Sequence, residues 1–240
     1  MFWLDSPSVS WQVADMKTDV KICGLKTIEA VERAVELGAR YVGFIFFPKS
    51  PRNIEPDDAG RLADRIRGRA KIVAVTVDAD SDLMDEIVSA LSPDMLQLHG
   101  NESPERVLTI KAVYGLPVIK ALSIRDADDV KRIDAYTGIA DKVLLDAKAP
   151  KGSELPGGNG VSFDWRLLDS LDEGVDYMLS GGLNAENIAE ALKVTGAKAV
   201  DTSSGVESAP GVKDLDRMTA FFGAVARAEA VTENAALAGE

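Results

Sequence analysis

The sequence is poor in the side chains that build disulfides and metal cages: one cysteine, Cys23, and one histidine, His99, in 240 residues. A single cysteine closes no internal disulfide, and one Cys with one His does not furnish a tetrahedral metal site. No structural metal is expected, and a reducing, cytoplasmic setting follows. No apolar run approaches the ~20 residues that span a bilayer, and the N-terminus lacks the basic start and apolar stretch of a secretory leader. Positive charge is also short, with 27 Lys and Arg against 39 Asp and Glu and a net charge of −12. That balance argues against nucleic acid or an anionic membrane as partner, since both reward clustered cations. It also repels an anionic small molecule, which must then be held by local dipoles and a few placed cations. No Gly-x-Gly-x-x-Gly run occurs, which counts against a dinucleotide-binding doubly wound sheet.

What is present is an alternation of short Val/Ile/Leu-rich runs with helical stretches, the pattern of βαβ units and a parallel sheet. The apolar runs cover Val20 to Cys23, Tyr41 to Phe46, Lys71 to Val77, Met95 to His99, Pro117 to Leu122, Lys142 to Asp146, Tyr177 to Ser180 and Ala197 to Thr202. Between them Ile28, Val31, Ala34 and Val35 recur at helical spacing, as do Ile188, Ala191 and Leu192. Gly38, Gly68, Gly115 and Gly196 stand where helices stop, and Ser81, Asp164 and Asn184 stand where they start. Eight strands, their crossovers and a last helix from Asp214 to Ala230 predict an α/β fold, a (β/α)8 TIM barrel with a closed parallel eight-stranded sheet. The chain divides into an N-terminal extension (1–18), one barrel domain (19–230) and a disordered tail (231–240).

In such a barrel, chemistry sits at the C-terminal ends of the strands. Cys23 ends strand one, two residues after Lys21, so both point toward the barrel axis. Lys21 either favours the Cys23 thiolate or neutralises a buried carboxylate. Asp146 ends strand six, where an apolar run terminates in a carboxylate with no helix close enough to cap. Arg52, in the loop after strand two, carries a fork suited to a carboxylate. His99 and Gln97 share one face of strand four, the histidine as a substrate-contacting or structural group. Gly181 and Gly182 after strand seven, with Asp201, Ser203, Ser204 and Gly205 after strand eight, stand where barrels commonly grip phosphate.

These residues together resemble the phosphoribosylanthranilate isomerase family over about Lys21 to Lys213. The resemblance rests on Lys21-Ile22-Cys23-Gly24-Leu25, Gly43-Phe44-Ile45-Phe46 with Ser50-Pro51-Arg52, Gln97-Leu98-His99-Gly100, Leu145-Asp146, Ser180-Gly181-Gly182-Leu183 and Ser203-Ser204-Gly205-Val206-Glu207. It implies a cofactor-free Amadori rearrangement of a small phosphoribosyl substrate, with Cys23 as general base and Asp146 as general acid. It further implies that Arg52 meets the anthranilate carboxylate and that the two Gly/Ser stretches hold the phosphate. The chemistry asks for a partly thiolate Cys23 and a partly protonated Asp146, and the stretch Lys148 to Gly160 is the expected lid. Asn159 and Thr202 depart from the residues expected there, Thr and Val. The histidine-pathway aminoaldose isomerase, with an aspartate in place of Cys23, and a non-catalytic phosphosugar-binding barrel are the alternatives. Monomer and homodimer are both open.

Overall fold

In the computed structural model, which describes residues 16–147, 157–158, 160, 162–172 and 174–238, eight strands begin and end within two residues of the apolar runs. They are β1 (Asp19–Cys23), β2 (Tyr41–Phe46), β3 (Lys71–Thr76), β4 (Met95–Leu98), β5 (Val118–Ile124), β6 (Lys142–Ala147), β7 (Tyr177–Leu179) and β8 (Ala199–Thr202). All neighbours are parallel and the sheet closes, because β1 pairs with β8 in the register Lys21 opposite Asp201. The period-two alternation divides the core. Val20, Ile22, Val42 and Phe44 face outward to the helices, while Cys23, Tyr41, Val73, Val75, Ile119, Leu144 and Met178 fill the interior. Burial on both faces is why the strands read as continuous apolar runs.

The helices are α1 (Ile28–Glu36), α2 (Pro56–Ala63), α3 (Ser81–Leu91), α4 (Pro104–Tyr114), α5 (Ala127–Lys131), α6 (Ile188–Thr195) and α7 (Leu215–Ala238). Local chemistry sets their starts. Ser103 Oγ accepts from Arg106 N at 3.3 Å, and Pro104 fills the first helical position, where no N–H is needed. Several expectations change. Asp80, one residue ahead of Ser81, caps α3 by accepting from Leu83 N at 2.9 Å. Asn184 accepts from the N–H of Glu186 and Asn187, one turn ahead of α6. Asp164 caps the 3-10 segment Trp165–Ser170, which replaces an α-helix between β6 and β7. Ile28, expected on the inward face of α1, is 44% exposed.

The last helix continues past Ala230 to Ala238, through a stretch whose Ala, Leu and Glu are good helix formers. A two-stranded hairpin that no sequence pattern announced, β9 (Glu207–Ala209) and β10 (Val212–Lys213), follows β8. Of the N-terminal extension, residues 1–15 lie outside the described residues. Its end is tied down: the N–H groups of Lys17 and Thr18 donate to the Glu229 carboxylate on α7 at 3.2 and 2.6 Å. No described helix is long and apolar enough to cross a membrane.

Candidate active site

A cavity opens at the C-terminal ends of the strands, and Cys23, Arg52, His99, Asp146, Gly181, Gly182, Asp201, Ser203 and Ser204 all line it. Residues from six strands or the loops after them thus converge, as the barrel address required. Its apolar wall is Ile45, Phe47, Val75 and Val77. Sequence reasoning passed over these four, since a wall of a cavity and a wall of a core have the same composition. Among the described residues no group of His, Cys, Asp and Glu is arranged to hold a metal ion.

Cys23 and Lys21 lie on one face, as the alternation demanded. Lys21 is fully buried and its Nζ donates to Asp201 Oδ1 at 2.7 Å, while Asp201 Oδ2 accepts from Ser180 Oγ at 3.1 Å. Both proposed roles of Lys21 therefore meet at one atom, because the thiol is its other neighbour. A side chain on Gly43 would place its Cβ 3.0 Å from Cys23 Sγ and 3.2 Å from Lys21 Nζ, so only glycine leaves the pair its space. Burial opposes the charge on Lys21, but Asp201 and then Cys23 outweigh it and lift its pKa above the ordinary lysine value. Burial likewise pushes the Cys23 thiol up; Lys21 pulls it down, yet Asp201 offsets that pull, and the net direction is upward.

The expectation of a partly thiolate Cys23 is thereby corrected for the free protein. A raised pKa means the proton stays to higher pH, so the thiolate absorbance near 240 nm should develop only above the ordinary thiol range. With one cysteine in the chain the signal has a single source. Titration at or below neutral pH would contradict the arrangement.

Asp146 is buried at the end of β6, and its Oδ1 accepts from Ala147 N at 2.9 Å. Its Oδ2 lies 3.3 Å from His99 Nε2, close but without hydrogen-bond alignment. Gln97 Nε2 lies 3.0 Å from His99 Nδ1. With the amide donating, Nδ1 accepts and the ring proton sits on Nε2. Gln97 itself is fully buried and does not line the cavity. It holds His99 from beneath, so the expected contact of Gln97 with a ligand becomes a supporting role. A side chain on Gly157 would collide with both the Asp146 carboxylate and the His99 imidazole. The rest of the expected lid, residues 148–156 and 159, lies outside the described residues.

Arg52 is 4% exposed and fully engaged along one edge: Nε donates to Glu207 Oε1 and Nη2 to Glu207 Oε2, both at 2.8 Å. Glu207 closes the Gly/Ser stretch after β8. It faces the other way, because the hairpin turns the chain back toward the loop after β2.

Gly181 and Gly182 both take left-handed φ values, 92° and 63°, in the turn that follows β7. Ser204 and Gly205 begin the 3-10 turn Ser204–Val206, whose leading N–H groups have no partner inside the turn. Ser203 differs from its neighbours. Its hydroxyl donates to Cys23 O at 2.9 Å, which spends the proton on the fold. Gly205 lines the adjoining depression with Gly182 and Ser204, where its Cα lies against the Leu183 carbonyl. A Gly205→Ala substitution collides with that backbone, so the turn must move. We expect KM for a phosphorylated substrate to rise at least about tenfold with little loss of kcat, because bonds to a charged group are each worth roughly 1.5–3 kcal/mol. Steady-state kinetics checks this, and an unchanged KM would remove the turn from the phosphate site.

Comparison with known proteins agrees with this geometry. Residues 20–224 match the family model described as N-(5'phosphoribosyl)anthranilate (PRA) isomerase. The N-(5'-phosphoribosyl)anthranilate isomerase of Sinorhizobium fredii is 81% identical over 216 residues, 90% of this chain and 96% of the relative. That of Rhizobium meliloti is 78% identical over 215 residues, 90% of this chain and all of the relative. Among solved structures, phosphoribosyl anthranilate isomerase from Thermotoga maritima superposes with a TM-score of 0.78 at 36% identity, covering 87% of this chain and 98% of its own. A phosphoribosyl anthranilate isomerase in complex with reduced 1-(o-carboxyphenylamino)-1-deoxyribulose 5-phosphate superposes with a TM-score of 0.73 at 34% identity and the same coverage.

Proposed function

The chain belongs to the N-(5'-phosphoribosyl)anthranilate isomerase family of tryptophan biosynthesis, and on that premise we propose that Cys23 is the general base and Asp146 the general acid of its reaction. The observation that carries the assignment is that both side chains line one cavity from strands three places apart around the barrel. They can therefore reach different atoms of one ligand.

The steps follow from the chemistry of an N-glycoside. Asp146 gives its proton to the furanose ring oxygen while the anthranilate nitrogen lone pair forms the C=N bond, and the C1–O bond breaks to open the sugar. The Cys23 thiolate removes the proton from C2, and that electron pair becomes the double bond of the enolamine. Tautomerisation delivers the 1-deoxyribulose ketone. The reactive form thus carries a proton on Asp146 and none on Cys23, while burial keeps the free thiol protonated. Lys21 stabilises the thiolate as it forms. His99, whose Nε2 lies 3.3 Å from Asp146 Oδ2 without hydrogen-bond alignment, packs against the acid.

Arg52 takes the anthranilate carboxylate, the apolar wall takes the ring, and the turns at Gly181-Gly182 and Ser204-Gly205 take the phosphate. Backbone N–H groups do this without net positive charge, which answers the problem set by a net −12. Asp201 acts through Lys21, and Ser203 through the backbone of Cys23. No cofactor is called for, because the substrate nitrogen supplies the push. We place the enzyme in the cytoplasm, where a free thiol base stays reduced, as a monomer or homodimer whose ligand is a phosphoribosyl small molecule rather than a nucleic acid. The experiment is the loss of substrate fluorescence with phosphoribosylanthranilate formed in situ, comparing wild type with Cys23 and Asp146 variants. Turnover that survives both substitutions would mean that acid and base are misassigned.

A further inference from the structure

Lys213, at the end of β10, belongs to none of the groups above, yet its side chain is 3% exposed beside the cavity. Its Nζ donates to Glu207 Oε1 at 2.7 Å, to Ser203 O at 2.9 Å and to Ser203 Oγ at 3.1 Å. Glu207 also accepts both N–H bonds of the Arg52 fork, and its Oε2 accepts from Gly211 N at 3.2 Å in the hairpin turn. Four donors use up the acceptor sites of one carboxylate. The hairpin is fitted to this purpose. Gly211, at φ 80°, packs directly on the Pro51 carbonyl next to Arg52, where any Cβ would collide.

The charge count is what matters. Two buried cations, Arg52 and Lys213, share one buried anion, Glu207. The neighbouring Lys21–Asp201 pair is already balanced at 2.7 Å. Buried charges are tolerated when paired, and with Cys23 protonated, as burial keeps it in the free protein, the triad is left one negative charge short. Arg52 Nη1 is not used by Glu207 and borders the cavity near Gly158. The direction of the titration agrees: burial pushes Lys213 below the ordinary lysine value, Glu207 and Cys23 counter that, and the nearby Arg52 adds to the lowering.

We infer that Lys213 is a specificity-determining residue: by leaving the Arg52–Glu207–Lys213 triad with a surplus positive charge, it makes the site select aromatic amines that carry a carboxylate, without itself touching the ligand. The inference rests on the reading that Arg52 meets that carboxylate. A substrate bearing the group supplies the missing charge, whereas one lacking it leaves the surplus uncompensated in a water-poor cavity.

The experiment compares two substrates formed in situ from ribose 5-phosphate, one with anthranilate and one with aniline, which lacks the carboxylate. The readout is the ratio of their kcat/KM values. Lys213→Met should lower that ratio at least about tenfold relative to wild type, and Lys213→Arg, which keeps the charge, should restore most of it. Lys213→Gln retains a donor toward Ser203 and decides the matter if the Met variant does not fold. Arg52→Gln serves as the reference. If it lowers the ratio and neutral substitutions of Lys213 lower both substrates equally, Lys213 is structural and the inference is overturned while the Arg52 reading stands. If Arg52→Gln also leaves the ratio unchanged, the carboxylate is held elsewhere and both fail.

Discussion

Cys23→Ala and Asp146→Asn should each lower kcat/KM for phosphoribosylanthranilate by at least about 100-fold, the usual scale for removing a general acid or base. The two substitutions disturb the fold little. Cys23 is 5% exposed, and its loss removes one sulfur from the barrel interior. Asn at 146 keeps an oxygen to accept from Ala147 N, the bond now made at 2.9 Å. What each removes, on the proposed assignment, is a proton-transfer function. Asn cannot protonate the ring oxygen, and Ala cannot take the C2 proton. Groups that act on one reaction coordinate combine non-additively, so the double variant should fall little below the worse single one. A double loss equal to the product of the two single losses would point to two independent effects rather than two steps of one reaction at one site.

Lys21→Met should have the largest effect on stability. The substitution keeps the length of the stem and removes the ammonium, leaving Asp201 buried with only the Ser180 hydroxyl at 3.1 Å. Breaking a buried pair from one side costs about 3–5 kcal/mol, because an uncompensated charge remains. For a chain of this size roughly 2–4 °C is lost per kcal/mol, so thermal unfolding should shift down by about 6–20 °C. Adding Asp201→Asn removes the orphaned charge, and the double variant should recover most of the stability. Activity should not recover with it, because Cys23 still lacks the cation that stabilises its thiolate. The thiol, already held above its ordinary value, should titrate higher still in Lys21→Met than in wild type. Recovery of both stability and turnover in the double variant would show that Lys21 serves the fold alone.

These residues also mark how far the sequence could be read. The strand ends were legible because both faces of a parallel barrel are apolar, so each strand is a run bounded by charge or glycine. Cys23 and Asp146 were legible for the same reason, as polar atoms closing such runs. The pairing of Lys21 with Cys23 followed from period-two alternation. The resemblance added roles, which alternation alone does not assign. The direction of the thiol shift was not legible. It depends on Asp201, 180 positions from Lys21, and on how completely water is excluded from the three groups.

The same distinction separates the rest of the molecule. By itself the sequence determined the eightfold repeat, the barrel, the strand-end positions of Cys23 and Asp146, and the family, because all of these are periodicities or local strings. Only the tertiary structure decided what each charge faces. Gln97 turned out to hold His99, Ser203 to hold the backbone of Cys23, and Glu207 to hold Arg52 across 155 positions. The hairpin that carries Glu207 and Lys213 is two short strands in a Gly/Ser/Pro stretch, too brief to leave a hydrophobic period. Electrostatic balance inside a cavity is a sum over neighbours in space, and closure of the barrel, which brings β1 beside β8, is what makes those residues neighbours.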